Sequence, residues 1–241
     1  MCCWNQKRCS YKPKSEENTM MKETASNKKY WIFGIIGCIC FGIGDWLLGY
    51  VDPTLVEEDI FYFIRGGHGA DYNNIKVTIT MAFSMVGMLF YPPSMIHIAD
   101  VAQDKKTTSH LKYTFGLCSI GWLVIHFIVA VNVMIYSWMM ENAGSELANG
   151  ISNFLGNSML SCLCIAFIFV GIPLILLIVY ILCGKTNLKR WEVVFTPLIW
   201  MIIIAVMANI IPTTAFSYGL YTFCMNSGML VWFIYLFVSK R

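Results

Sequence analysis

Six long apolar segments constrain this chain more than any other feature of its sequence. Each is about as long as the ~20 residues that a helix needs to cross a hydrocarbon layer of roughly 30 Å. Because backbone inside lipid finds no water to bond, segments this continuously apolar are expected to be closed helices. The sequence therefore predicts an all-α, polytopic membrane bundle of six transmembrane helices. Their approximate limits are 30–50, 75–98, 113–138, 157–183, 191–211 and 216–238.

The composition supports this fold class and sets the domain organisation. Hydrophobic residues make up 57% of the chain and charged residues 13%, whereas about a quarter of a soluble domain is charged. No connection is long enough to fold as a soluble domain of typical size. We therefore expect one transmembrane domain, 30–241, that has the lipid bilayer as its partner. Residues 1–29 are predicted to be a disordered basic tail, in which Met20 and Met21 offer alternative translation starts.

The basic residues indicate an orientation. Fifteen of the 17 Lys and Arg residues fall on one side of the predicted spans, and only Arg65 and Lys76 fall on the other. Cytoplasmic segments carry an excess of Lys and Arg in membrane proteins. The bias predicts a multi-pass protein of the cell membrane with both its N- and C-termini in the cytoplasm.

Asp45 lies within the apolar stretch FGIGDWLLGYVDP of the first segment. At about 100° per residue, Gly34, Cys38, Gly42 and Gly49 share an arc of about 80° with it. Small residues let helices approach closely, so this face is expected to meet other helices and to turn Asp45 inward. An ionisable group inside a membrane costs several kcal/mol and marks ligand sites or proton relays. Asp45 is therefore the leading candidate for a ligand-binding residue.

Other spans add polar residues in the outer half of the membrane. The candidates for lining a polar cavity with Asp45 are His126, Asn132 and Asn157. Asn157 lies on a stripe of small and polar residues in the fourth segment, together with Gly150, Asn153, Ser161, Cys164 and Gly171. The alternative is that amides such as Asn132, Asn209 and Asn226 bond one helix to another and need no ligand.

His97 and Asp100 form a second candidate pair at the cytoplasmic end of the second segment. Residues three apart on a helix can share a face, so the carboxylate is expected to bond the imidazole and to fix its tautomer. The pair could act as a catalytic acid and base at the lipid interface. The alternative is an interfacial pair that anchors the end of the helix.

The sequence contains no common hydrolase or nucleotide motif. No Gly-rich phosphate loop, His-Glu-x-x-His helix or Gly-x-Ser-x-Gly elbow occurs, so we predict no cofactor and no metal site. The basic residues lie at the ends of spans and not in an aromatic-interleaved patch, which argues against nucleic acid as a partner. The first outer connection, 51–74, is expected to contain a short interfacial helix that acts as a lid.

Three stretches resemble a family of functionally uncharacterised bacterial integral membrane proteins. They are GDWLLGY in the first segment, FYPPSMIHIAD at the end of the second and GWLVIH in the third. The family's first helix carries a Gly-Asp-x-Leu-Leu-Gly-Tyr motif. The resemblance implies a six-span bacterial membrane protein in which Asp45 is the motif carboxylate, and it implies no activity.

Three functions remain open at this point. The first is binding or transport of a small molecule or ion through a polar cavity around Asp45, and the sequence favours this non-catalytic role. The second is a membrane enzyme acting on lipid, with either His97 and Asp100 or Asp45 and His126 as its acid–base pair. The third is a structural, sensory or immunity-type membrane protein. The sequence names no ligand and sets no oligomeric state.

Overall fold

A computed structural model describes residues 14–52 and 74–239, with the side chains of 28–52 and 75–239. Every named element in these ranges is helical, as predicted, and one isolated bridge joins Ala102 to Thr186. Two 3-10 helices, Ile98–Val101 and Arg190–Phe195, interrupt the series of α-helices. The α-helices are α1 (Lys14–Gly49), α2 (Asn74–His97), α3 (Lys105–Asn142), α4 (Ser145–Leu182), α5 (Pro197–Ile210) and α6 (Ala215–Val238).

Five helical stretches are long and apolar enough to cross a membrane, which indicates a membrane-embedded protein. They are Lys28–Gly49, Ile75–Val101, Lys105–Asn142, Ser145–Leu182 and Ala215–Val238. The predicted span 191–211 is different, because it is divided between a 3-10 helix and the 14-residue α5. Thr196 between them is extended, as expected for a residue that precedes a proline. The structure therefore divides this segment into two helices, where we expected a single span.

α1 starts earlier than the first apolar segment. It begins at Lys14, so the second half of the tail that we predicted to be disordered has a helical backbone. Residues 14–27 are rich in Glu, Lys and Met, which lose little side-chain freedom in a helix. Residues 1–13 lie outside the described part of the chain.

α3 and α4 form a long antiparallel hairpin. Each has 38 residues, and the two are joined through Ala143 and Gly144, where Gly144 has a φ of 86°. Asp104 starts α3 by accepting hydrogen bonds from the backbone N–H and the hydroxyl of Thr107. These donors hold the pKa of the Asp104 carboxyl below its usual value. The cap explains why α3 starts eight residues before the apolar segment at 113.

The glycine face of α1 packs against α6. A Cβ on Gly34 would lie 2.5 Å from the ring of Phe233, and a Cβ on Gly42 would lie 2.2 Å from the ring of Phe223. On Gly49 it would lie 2.0 Å from Thr222 Oγ1. This close approach confirms that the small-residue face of α1 meets another helix. It also places the first and the last helix side by side at the level of Asp45.

The remaining helices extend the bundle from both sides of this pair. α2 packs against both α1 and α3, α4 packs mainly against α3, and α5 covers α6. The main core cluster is rich in aromatic side chains, among them the fully buried Trp31, Tyr91, Trp122 and Trp232. The interior of the bundle is therefore apolar immediately around the few polar groups that it contains.

Candidate functional site

Asp45, His126 and Asn226 meet inside the bundle, from α1, α3 and α6. The Asn226 Nδ2 amide donates to Asp45 Oδ2 at 2.5 Å. The same nitrogen lies 3.4 Å from His126 Nε2, and His126 Nε2 lies 3.7 Å from Asp45 Oδ1. One carboxylate, one imidazole and one amide thus form a single cluster, which we call the polar trio.

The orientation of His126 is fixed by its surroundings. Its Nδ1 lies 2.8 Å from the Trp122 carbonyl oxygen, and because a carbonyl only accepts, Nδ1 carries the proton. The ring lies between Phe41 and Trp122, at centroid distances of 4.1 Å and 6.0 Å. Nε2 is therefore the atom that faces Asp45 and Asn226, and in the neutral ring it is an acceptor.

The polar trio is shielded to different degrees. Asn226 is fully buried, while the side chains of His126 and Asp45 are 10% and 20% exposed. Within the described residues, Asn226 Oδ1 has no hydrogen-bond partner. Such a buried, uncompensated acceptor is costly. The trio is therefore not arranged for maximal stability.

A cavity of about 290 Å³ adjoins the polar trio. Its lining is mainly apolar, and its polar groups include Asp45, His126 and the hydroxyls of two threonines and one serine. The lining residues are Asp45, Leu48, Thr80, Ser84, Ile125, His126, Val129, Ala130, Phe167, Tyr221, Thr222, Cys224 and Met225. A mostly apolar cavity with a few convergent polar groups is the typical form of a small-molecule site.

The cavity reaches the side of the bundle. Phe167 on α4 and Tyr221 on α6 line it and are 37% and 47% exposed, so it extends to the lateral surface between these helices. Toward the ends of α1 and α3, the apolar cluster of Leu48, Val51, Val77 and Val133 packs beyond the polar trio. The predicted lid falls mainly on residues 53–73, which lie outside the described part of the chain.

Asn132 and Asn157, which we predicted to line the cavity, do not line it. Asn132 is buried, and its Oδ1 accepts from Ser152 Oγ at 3.3 Å, so it bonds α3 to α4. Asn157 is exposed on α4, with its neighbours Asn153 and Ser161. The residues that α4 buries lie on a different face: Ala148, Ser152, Gly156, Leu163, Ala166, Val170, Pro173, Leu174, Leu177 and Ile181.

Asn226 is the member of the polar trio that we expected to bond one helix to another without a ligand. It lies four residues after Thr222, whose Oγ1 donates to the Asp45 backbone oxygen at 2.8 Å. Both residues and Gly219 share one face of α6. A small and polar face on the last helix, matching that on the first, was the available signal.

His97 and Asp100 are paired as predicted. His97 Nδ1 lies 2.8 Å from Asp100 Oδ2, and the Tyr30 ring of α1 stacks on the imidazole with centroids 3.4 Å apart. Neither residue lines the cavity beside the polar trio. The contacts explain how this pair ties the end of α2 to α1.

His97→Leu is expected to lower the free energy of unfolding by about 1–2 kcal/mol, because it removes both the hydrogen bond and the stacked ring. The measurement is an SDS unfolding titration in detergent micelles. Tyr30→Phe is the matched control, since it retains a ring for stacking, and it should be nearly neutral. A fully stable His97→Leu protein would contradict the anchoring role.

The described residues contain no cluster of metal ligands. Across 28–52 and 75–239, no three His, Cys, Asp or Glu side chains come together as metal ligands.

Comparison with known proteins gives one match. No curated protein and no solved structure matches the chain. One protein-family model matches residues 20–240, which is most of the sequence. The chain therefore belongs to the family of unknown function DUF6796.

Proposed function

We propose that this protein binds or transports a small molecule in the cavity beside Asp45 and His126. The observation that carries the proposal is a carboxylate and an imidazole from different helices exposed together to one cavity of about 290 Å³. Charged groups are expensive inside a bundle in lipid and are found where they serve a ligand or a proton. Apolar side chains would fill the positions of Asp45 and His126 at a lower cost if packing were their only role.

The proposal includes six spans in the cell membrane, with both termini in the cytoplasm. α5 and the 3-10 helix before it have 14 and 6 residues. At about 1.5 Å and 2.0 Å per residue, their helical rises add up to about 33 Å, close to the thickness of the hydrocarbon layer. The bias of basic residues supports the orientation.

The orientation predicts which positions react with a membrane-impermeant thiol reagent. Cysteine introduced at Glu146 should react from outside intact cells, whereas cysteine at Lys189 should react only after the cells are opened. The parent chain reports the reactivity of the native cysteines and is the control. Labelling in the reverse order would contradict the orientation.

A membrane enzyme acting on lipid is the second candidate, and one observation favours it. The cavity reaches the lateral surface at Phe167 and Tyr221, where a lipid chain could enter. Asp45 and His126 would then be the acid–base pair, because His97 and Asp100 do not line the cavity. We favour binding because, among the described residues, no hydroxyl or thiol of the cavity is hydrogen-bonded to the side chains of this pair, as activation of a nucleophile would require.

A ligand screen tests the proposed function. Purified protein in lipid nanodiscs is heated with each member of a library of small amphiphilic compounds, and compounds that raise the midpoint of unfolding are retained. The rise should be lost in Asp45→Asn and kept in Glu141→Gln, an exposed carboxylate at the end of α3. Lipid breakdown measured in parallel would favour the enzyme. A library without any Asp45-dependent stabiliser would contradict both.

A further inference from the structure

The charge of the polar trio defines what the cavity can hold. We infer that the ligand is a small hydrophobic organic cation, and that it exchanges with one proton shared by Asp45 and His126. This inference rests on the proposed function and names the ligand class for the same site. It follows from three properties of the described residues: the charge balance, the hydrogen bonds of His126 and the lining of the cavity.

The first property is an unbalanced negative charge. Among the described residues that line the cavity there is no Lys or Arg. Asp45 comes from α1, His126 from α3, and Tyr221 and Cys224 from α6, while α2 and α4 contribute only Thr80, Ser84 and Phe167 to the lining. Deeper in the bundle, α2 adds the buried Tyr91. When the imidazole is neutral, Asp45 leaves the site with one negative charge.

The second property is that the proton and a cation act on the same charge. Asn226 Nδ2 has two hydrogens, and it lies within reach of both Asp45 Oδ2 and His126 Nε2. A proton added to Nε2 ends the acceptor role of that atom and pairs an imidazolium with the carboxylate, 3.7 Å away. The site is then neutral. A bound cation neutralises the same carboxylate, so the two occupants compete.

The exchange is balanced in charge and atoms. A cation enters the cavity as the proton leaves His126 Nε2 for water, and no bond of the ligand changes. Occupation by both would leave one uncompensated positive charge in an apolar interior, which is costly. Linkage then requires that raising the pH strengthens cation binding and that the bound cation expels a proton.

The third property is the apolar lining. Leu48, Ile125, Val129 and Met225 face the cavity and contribute to a lining that is mainly hydrocarbon. They suit a hydrocarbon body. Phe167 and Tyr221 at the lateral rim can contact a cation with their ring faces as it enters. A monovalent cation with one hydrophobic body matches this lining.

The test compares ligands that share one skeleton. The probes are 3-phenylpropyl-trimethylammonium, which is charged at every pH, 3-phenylpropan-1-ol and 3-phenylpropanoate. Binding is measured by titration calorimetry on the full chain in nanodiscs of zwitterionic lipid, and empty nanodiscs correct for partitioning. We expect the cation to bind at least tenfold more tightly than the alcohol, and the carboxylate to bind most weakly.

The proton is measured in the same experiment. In buffers of different ionisation enthalpy, about one proton should be released per cation bound at a pH where the site is protonated. The affinity for the cation should rise by up to tenfold per pH unit and then level off as the shared proton is lost. The affinity rises with pH, and does not fall, because the proton competes with the cation at low pH.

Two variants and one control assign the effect to the polar trio. Asp45→Asn should bind the cation no better than the alcohol. His126→Gln should bind the cation with little dependence on pH, because the shared proton is lost while the carboxylate remains. Glu141→Gln should behave as the parent does.

The outcomes separate this inference from the proposed function. Equal binding of cation and alcohol, or cation binding without proton release, would overturn the inference while the cavity remains a binding site. The inference also fails if the compounds retained by the ligand screen are all neutral or anionic. If no probe and no library compound shows Asp45-dependent binding, the proposed function fails with it.

Discussion

Asn226→Leu is expected to lower the free energy of unfolding by about 2–3 kcal/mol. The substitution removes the amide that donates to Asp45 Oδ2, and it leaves a largely shielded carboxylate without that donor. Hydrogen bonds to charged groups contribute about 1.5–3 kcal/mol, and loss of one partner adds the desolvation cost of the other. The measurement is an SDS unfolding titration of the protein in micelles at pH 7.5.

A double variant isolates the role of the carboxylate. In Asp45→Leu/Asn226→Leu, both polar partners are replaced by apolar groups, so the loss should be smaller than in Asn226→Leu alone. Asn209→Leu is the matched control, because Asn209 is exposed and donates to Ala205 of its own helix. The polar trio would lose its support if Asn226→Leu cost no more than Asn209→Leu, or if the two substitutions were additive.

Gly49→Leu should lower the free energy of unfolding further still, by about 3 kcal/mol or more. A Cβ at this position would lie 2.0 Å from Thr222 Oγ1 and 2.8 Å from the Tyr218 backbone oxygen. The hydroxyl can rotate away, but the backbone oxygen moves only with α6. Overpacking of a well-packed interior costs about 1–3 kcal/mol, and here the separation of α1 from α6 also strains the bond between Asp45 and Asn226.

The measurement for Gly49→Leu is the folded fraction after size-exclusion chromatography, together with the unfolding titration. Gly116→Leu on α3 is the control, because a Cβ there meets no atom within 4 Å. Gly49→Ala should give a smaller loss of the same kind. A Gly49→Leu protein as stable as Gly116→Leu would show that α1 and α6 do not pack as closely as described.

The helical class was predictable because it follows from the length of the apolar segments alone. The ends of the helices were less predictable. Averaged hydropathy joins 191–211 into one segment, whereas the backbone is divided at Thr196 by the local effect of Pro197. Asp104 likewise extends α3 into polar sequence, because a cap depends on a single side chain and not on hydropathy.

The candidate site was predictable in part, and the reason is geometrical. Helical periodicity shows which residues share a face, and Asp45 was correctly placed on the face of α1 that packs. Periodicity does not say which neighbour that face meets or whether a polar face is buried at all. The stripe of Asn157 is exposed although it has the same spacing, and the bond from Asn226 joins residues 181 positions apart.

The pairing of the first helix with the last one described has a consequence for the order of assembly. Asp45 is synthesised early, yet the amide that bonds it is 181 residues later in the chain. Until α6 inserts, the carboxylate is without this donor, which disfavours stable insertion of α1 in hydrocarbon. The α3–α4 hairpin, by contrast, can form from neighbouring sequence through its short turn. We therefore expect His126 to be in position before Asp45 acquires its amide partner, and the cavity to be completed when α6 packs.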